Sequence, residues 1–268
     1  NYDLIFICGQ LSSRFVPDVV DIATSKGIKI MFRTTGVNVN DQYAYIDKVN
    51  CFVHHSQKNA EKLLQTSKHQ YTIIDQCAYS ESDLLAIPPI DKPVKKFMTL
   101  ARLVADKNID VVIEAFKKSK TEGDQLVVLG SGPETEHLIS LADGDADILF
   151  AGFVPNNETA AYFAEADCVI ISYYEFETGP LTGIEAMAAG RLLISTEAGA
   201  MPERIGFNPF WFESTIDSLS EQIHKIKKLD AAETLHLSQK IRNRYSEAYS
   251  KQAVKMQYCA AVDKVLHP

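Results

Sequence analysis

Long apolar runs are missing from this 268-residue sequence, and so is any excess of positive charge. No stretch approaches the roughly 20 apolar residues that a membrane-spanning helix requires, and no signal peptide is recognisable. Lysine and arginine number 27 against 35 aspartates and glutamates, a formal net charge of -8. An acidic chain is a poor partner for nucleic acid, whose binding draws on a dense cationic surface. The pairs Lys95-Lys96 and Lys227-Lys228 read as solvated helix faces. Cysteine is scarce and odd in number, five in all. Cys8, Cys51 and Cys168 lie within apolar runs and read as buried thiols, which fits a reducing compartment and a cytoplasmic location. A starting methionine is lacking too. The chain enters an apolar run, Asp3–Cys8, almost at once, so an upstream segment or a partner domain is expected.

What remains is ordinary globular material, 46% hydrophobic and 23% charged, long enough for one large domain or two of usual size. Short apolar runs alternate with amphipathic helical segments, the pattern of parallel sheets with helices on both faces. Strands are predicted near 3–8, 28–33, 51–55 and 71–75, with helices over Val16–Lys26 and Gln57–Gln65 between them. Three prolines within Ile87–Pro93 can continue neither a helix nor a central strand, which marks a linker. Six strand-helix units follow, with strands at Phe97–Ala101, Leu126–Gly130, Ile148–Phe153, Cys168–Ser172, Leu192–Ser195 and Phe210–Glu213. The reading is an α/β chain with a partial N-terminal unit over 1–90 and a second unit over 94–249. A C-terminal helix over 250–268 crosses back to the first.

Six such units favour the strand order 3-2-1-4-5-6, whose ligand crevice lies outside the carboxyl ends of strands one and four. The unusual residues fall there. Arg102 and Lys107 follow strand one and precede a helix, a seat for phosphate. Glu177, Thr178, Gly179, Pro180 and Leu181 follow strand four, where backbone amides approach a ligand closely. Glu185 lies eight positions after Glu177, in what reads as the first turn of the next helix. Carboxylates accept hydrogen bonds from sugar hydroxyls, while arginine and lysine neutralise a diphosphate. Taken singly, the cations also read as surface residues and the carboxylates as favourable neighbours of a helix N-terminus. Their joint placement at the switch point favours a site.

The run Glu177-Thr178-Gly179-Pro180-Leu181-Thr182-Gly183-Ile184-Glu185 resembles the Glu-x7-Glu signature of retaining glycosyltransferases with the GT-B fold, especially family 4. Ala101-Arg102-Leu103 with Lys107 resembles that family's diphosphate clamp. Gly130-Ser131-Gly132-Pro133, Gly152-Phe153-Val154-Pro155 and the run Thr196–Glu203 match further landmarks. The resemblance implies two Rossmann-like doubly wound domains facing a cleft, the N-terminal one incomplete. It implies that Arg102 and Lys107 bind the donor diphosphate and that Glu177 contacts the donor sugar. Glu185 would hold the ribose, Thr178–Leu181 and Gly130 would line the donor site, and Phe153 and Val154 would lie against the nucleobase. The expected donor is a nucleoside-diphosphate-sugar, with no metal or other cofactor; the acceptor is a glycan, a lipid-linked molecule or a protein, which leaves room for peripheral membrane association.

Two departures stand out. Pro180 removes one backbone donor from the loop. The family's N-terminal-domain histidine has no counterpart in Phe32-Arg33-Thr34-Thr35-Gly36, so either Arg33 or Thr34 substitutes or the acceptor side is built differently. The alternative function is a non-catalytic homologue that binds nucleotide or supports a partner enzyme. Three weaker signals are set aside. The Asp143–Asp147 run, with its Asp-x-Asp spacing, reads as a solvated loop. Gly130-Ser131-Gly132 lacks the third glycine of a dinucleotide fingerprint, and Pro133 reads as the first residue of a helix. His54 and His55 point to opposite faces of a strand, which argues against a shared metal.

Overall fold

The computed structural model describes residues 2–36, 43–64, 69–173 and 178–268. Two wholly parallel sheets carry the chain. The first has the order β1-β2-β3-β4, with β1 Leu4–Gly9, β2 Lys29–Thr34, β3 Cys51–His54 and β4 Tyr71–Ile73. Helices α1 (Val16–Ser25) and α2 (Gln57–Leu64) follow β1 and β3. Strand residues alternate between faces. Ile7, Ile30, Phe32 and Phe52 join Val16, Val20 and Ala23 of α1 in one core, while Met31, Val53 and Ile74 turn the other way. That second face is closed by the C-terminal helix α11 (Lys251–Leu266), through Val254, Tyr258, Ala261 and Val265. Over β1 the covering thins: Phe6 and Cys8 are exposed on this edge strand. Cys51 is half-buried and only Cys168 is fully buried, so the expectation of three buried thiols holds for one.

The second sheet has the order β7-β6-β5-β8-β9, with β5 Lys96–Leu100, β6 Gln125–Leu129, β7 Ile148–Gly152, β8 Cys168–Ile171 and β9 Leu192–Ser195. In sequence order this is 3-2-1-4-5, with the reversal beside β5. The expected sixth strand shrinks to one bridge between Ser195 and Trp211. Asn208 Oδ1 accepts the Phe210 N–H at 3.1 Å, and Pro209 brings no N–H, so a ladder has little backbone to use. Alternation again fills both faces. Phe97, Leu126, Ile170 and Ile194 pack with α4 (Ile109–Ser119), α5 (Thr135–Ala142) and α9 (Ile216–Ile226). Met98, Leu129, Val169 and Leu193 pack with α6 (Thr159–Glu165), α7 (Leu181–Ala188) and α10 (Ala231–Ala248). Helix α5 starts two residues later than Pro133 predicts, because the Thr135 hydroxyl donates to the Gly132 carbonyl at 2.7 Å and holds Pro133-Glu134 as a turn.

Helix α3 (Glu81–Ala86) already packs on α6 and α7, so the chain leaves the first sheet before the prolines. The segment Ile87–Pro93 is fastened to the second unit. Arg242 donates to the Ile87 carbonyl, Arg191 to that of Pro88, and Ser238 accepts the Ile90 N–H. The Asp143–Asp147 run lies at the start of β7, where Asp145 and Asp147 share Lys120 at 2.5 and 2.7 Å. Those carboxylates have a structural partner already.

Candidate functional site

A cavity of about 700 Å³ opens at the carboxyl ends of β5 and β8. Its walls include Arg102, Lys107, Gly130, Phe153, Val154, Thr178, Gly179, Pro180 and Leu181. Three loops meet there because the strand order reverses at β5 and splays the connections apart. Nine of the site residues singled out in the sequence thus share one space. Glu177 lies outside the described residues, as do Tyr174 and Phe176.

The first loop is pinned at several points. Ser172 donates its hydroxyl to the Lys107 carbonyl at 2.7 Å. Asn108, in the left-handed region at φ 49°, donates Nδ2 to the Ser172 carbonyl and to Ser214 Oγ, both at 2.9 Å. These bonds tie the β5 connection to the end of β8. Lys107 Nζ stands 4.3 Å from the Tyr173 ring centroid, a cation–π placement, and 3.8 Å from Asp106. Tyr173 donates its hydroxyl to the Leu100 carbonyl at 2.8 Å, and Thr182 donates to the same oxygen at 3.1 Å. Arg102 is exposed at the cavity wall.

Gly130 is the floor of the β5 loop. Its φ is +127°, and an added Cβ would fall 1.8 Å from the Ala101 carbonyl oxygen. The neighbouring bonds Ala101 N–H to Leu129 O and Leu103 N–H to Ser131 O run backbone to backbone. The glycine therefore serves close chain approach beside Arg102. Gly130→Ala is expected to cost about 2–3 kcal/mol of folding stability, measured by urea unfolding, because both backbone conformation and contact must change. A loss below about 0.5 kcal/mol would show that the loop tolerates a side chain.

The second loop leads into α7, whose N-cap is Pro180 and whose first N–H groups have no partner within the helix. Phe153 is 75% exposed beside the cavity while Val154 is buried, so an apolar ring stands open at this wall. Glu185 lies in the second turn of α7, not the first, since the helix starts at Leu181. It follows Leu181 and Thr182 by four and three positions and so shares their helix face. It is 5% exposed, does not itself line the cavity, and its carboxyl has no hydrogen-bond or ion-pair partner among the described residues. Burial raises its pKa to about 7.

Arg33 and Thr34 do not reach the cavity. Arg33 is buried and donates to the Ile74 carbonyl, to Tyr258 Oη at 2.8 Å and to His55 Nδ1 at 2.7 Å. A guanidinium only donates, so His55 Nδ1 is an acceptor and carries no proton. Thr34 pairs with His54 Nδ1 at 3.0 Å, and His54 Nε2 meets His69 Nε2 at 3.2 Å. Burial, with His69 beside it, lowers His54 to about 3. Neither side chain lines the cavity, because each spends its polar atoms on partners in and around the first sheet.

The sequence reading missed a buried ion pair between the two sheets' surroundings. Arg204, fully buried in α8 (Met201–Ile205), meets both oxygens of Asp75 at 2.7 Å. Burial alone pushes Asp75 upward, but the Arg204 charge and its hydrogen bonds outweigh that and hold the carboxyl well below its usual range. Arg204 also donates to the Pro180 carbonyl at 2.7 Å. A Cβ on Gly179 would come within 2.7 Å of Arg204 Nη2, so the glycine makes room for the guanidinium. Next to it, the Glu203 carboxylate accepts the Gln57 and Lys58 N–H groups at 2.8 and 3.1 Å, capping α2 from the other unit.

The family model described as glycosyl transferases group 1 matches residues 81–250. N-acetyl-alpha-D-glucosaminyl L-malate synthase of Bacillus anthracis is 23% identical over 269 residues, covering 94% of this chain and 70% of its own length. Amylovoran biosynthesis glycosyltransferase AmsK of Erwinia amylovora is 32% identical over 123 residues, 42% of this chain and 30% of its own. The chain thus spans less than a third of AmsK and 45% of the colanic acid glycosyltransferase WcaL of Salmonella typhimurium. Among solved structures, a glycosyltransferase from Rickettsia africae aligns at TM-score 0.80 and 17% identity, over 98% of this chain and 77% of its own. Anabaena HepE in complex with UDP aligns at 0.79 and 14%, over 98% and 79%. These likenesses establish a GT-B architecture. With the family match running from the start of α3 past the end of α10, across the whole second sheet and its cavity, the chain belongs to the glycosyl transferases group 1 family.

Proposed function

We propose that this chain holds a nucleoside-diphosphate-sugar in the cavity between β5 and β8 and passes the sugar to an acceptor with retention of anomeric configuration. One observation carries the reading: Arg102, Lys107 and the α7 N-terminal loop converge on a single cavity of about 700 Å³, within the usual volume of small-molecule sites. As the bond from the anomeric carbon to the diphosphate oxygen breaks, positive charge spreads onto the ring oxygen and the diphosphate gains a negative charge. Arg102 and Lys107 meet that charge without needing a metal ion. The acceptor hydroxyl attaches on the same face, and its proton leaves with the departing diphosphate. Glu185 receives the ribose hydroxyls, Phe153 and Val154 the base, and Glu177 the donor sugar. The named UDP complex of HepE supports a nucleotide donor, and the amylovoran and colanic acid biosynthesis in the relatives' names supports a glycan acceptor.

A thermal-shift screen with UDP-glucose, UDP-N-acetylglucosamine and GDP-mannose tests the reading, since ligand bound to the native state raises the melting temperature. A rise with at least one donor is expected, and none with any would sink it. The second reading, a binding module without turnover, draws on the burial of Arg33 and Thr34, which leaves no cationic or basic side chain from the end of β2 at the cavity among the described residues. Release of free nucleoside diphosphate separates the two.

The Glu185 assignment has a pH signature. Its carboxyl is half-protonated near pH 7, and ribose hydroxyls donate best to the ionised form. Donor affinity should therefore rise about tenfold from pH 6 to pH 8 and level off above, following the fraction ionised. A nucleotide sugar has no phosphate group titrating in that range, and Glu185→Gln should flatten the profile. Calorimetry across pH decides it; a flat wild-type profile would detach Glu185 from the nucleotide.

A further inference from the structure

Among the described residues, Gln76 is the one cavity-lining residue that comes from the first sheet's side, just past the end of β4. Its Oε1 is buried and has no hydrogen-bond partner. Buried amide oxygens are nearly always paired, so an orphan on a residue that lines a ligand cavity calls for an explanation. The backbone around it is fixed. The Gln76 N–H donates to Asp75 Oδ1 at 2.8 Å, and Asp75 is clamped by Arg204 through two bonds of 2.7 Å. Arg204 in turn donates to the Pro180 carbonyl, and to that of Gly179 at 3.5 Å. Gln76 is thus held at the end of the cavity that the loop before α7 encloses, not left to a free surface loop.

We propose that Gln76 is a specificity-determining residue that reads a hydroxyl of the transferred sugar, an inference that rests on the donor reading above. The chemistry suits the ligand. A primary amide offers one acceptor and two donors, and a sugar hydroxyl both donates and accepts, so the pair is complementary whichever way the amide is turned. A charged side chain at this position would attract or repel the diphosphate as a whole. A neutral amide discriminates between hydroxyl patterns without altering that balance. It also brings the first unit into contact with the reacting sugar, which Arg33 and Thr34 do not.

The test compares wild type with Gln76→Met, which keeps most of the volume and removes the hydrogen bonds. The probes are the best-binding donor among UDP-glucose, UDP-N-acetylglucosamine and GDP-mannose, the matching nucleoside diphosphate, and the deoxy-sugar analogues of that donor. The variant should bind the nucleoside diphosphate within twofold of wild type and the donor about tenfold more weakly, the scale of one lost hydrogen bond to a buried partner. For one deoxy analogue the difference between the two proteins should vanish. Equal losses on donor and diphosphate, or no loss on either, would overturn the role of Gln76 while leaving the donor site intact. A wild-type protein that binds none of the probes would instead remove the donor reading, and this inference with it.

Discussion

Alanine at Arg102 or Lys107 lowers sugar transfer by about 10²–10³-fold, the scale seen when a preorganised charge at a departing group is lost. Both side chains line the cavity at the carboxyl end of β5. Their settings differ, and so should the variants. Arg102 is exposed. Arg102→Lys should recover only part of the rate, because a point charge replaces a planar fork that grips two oxygens at once. Lys107 is 11% exposed and stands against the Tyr173 ring, so its removal also strips a cation–π contact worth about 1 kcal/mol. Backbone geometry should survive, since Ser172 and Asn108 hold the loop through main-chain atoms and not through the lysine side chain. The check is kinetic. Steady-state rates with a saturating donor, compared with melting temperatures, separate lost charge from lost fold. Wild-type turnover in either variant would mean that the diphosphate is neutralised elsewhere.

The meeting of Arg102 and Lys107 with the loop before α7 was legible in the sequence because it follows from topology. Strand cores such as Cys168–Ile171 and Leu192–Ser195 announce themselves by unbroken apolar runs, and the helices between them force parallel pairing. Once the order reverses beside β5, the residues after β5 and β8 must meet. What stayed hidden depends on contacts between distant residues. Arg204 directly follows the run Thr196–Glu203 that resembles a family landmark, yet nothing local says that its partner is Asp75, 129 positions earlier. Arg33 and Thr34 occupied the expected strand end, but their side chains were claimed by His55, Tyr258 and His54. The turn of Glu185 was misplaced because a helix that opens after Pro180 gains a residue at its start. Asn108 could have been found: asparagine just before an apolar-periodic helix is a favoured cap, and it tolerates a left-handed backbone.

Breaking the Asp75–Arg204 pair on one side should strongly destabilise the fold. Asp75→Ala leaves a fully buried guanidinium without its counter-charge, and Arg204→Met leaves a carboxylate 7% exposed without its clamp. Each should lose about 3–5 kcal/mol, since a lone buried charge keeps its desolvation penalty and forfeits the attraction that offset it. The double variant Asp75→Leu/Arg204→Met should lie much closer to wild type, because an apolar pair of similar volume removes both charges together. The pH dependence has a fixed sign. The Asp75 carboxyl is held below its unfolded value, so its contribution is complete above about pH 4 and drains away as pH falls through the folded value. Unfolding at pH 7 and at pH 3 should therefore show the gap between wild type and Asp75→Ala narrowing in acid. Arg204→Met has a further consequence, because Arg204 also holds the Pro180 carbonyl at the mouth of α7. The refolded fraction of that variant should bind donor more weakly than Asp75→Ala does, where Arg204 keeps its bond to the loop. Single variants no less stable than the double would show that the ion pair is incidental to the fold.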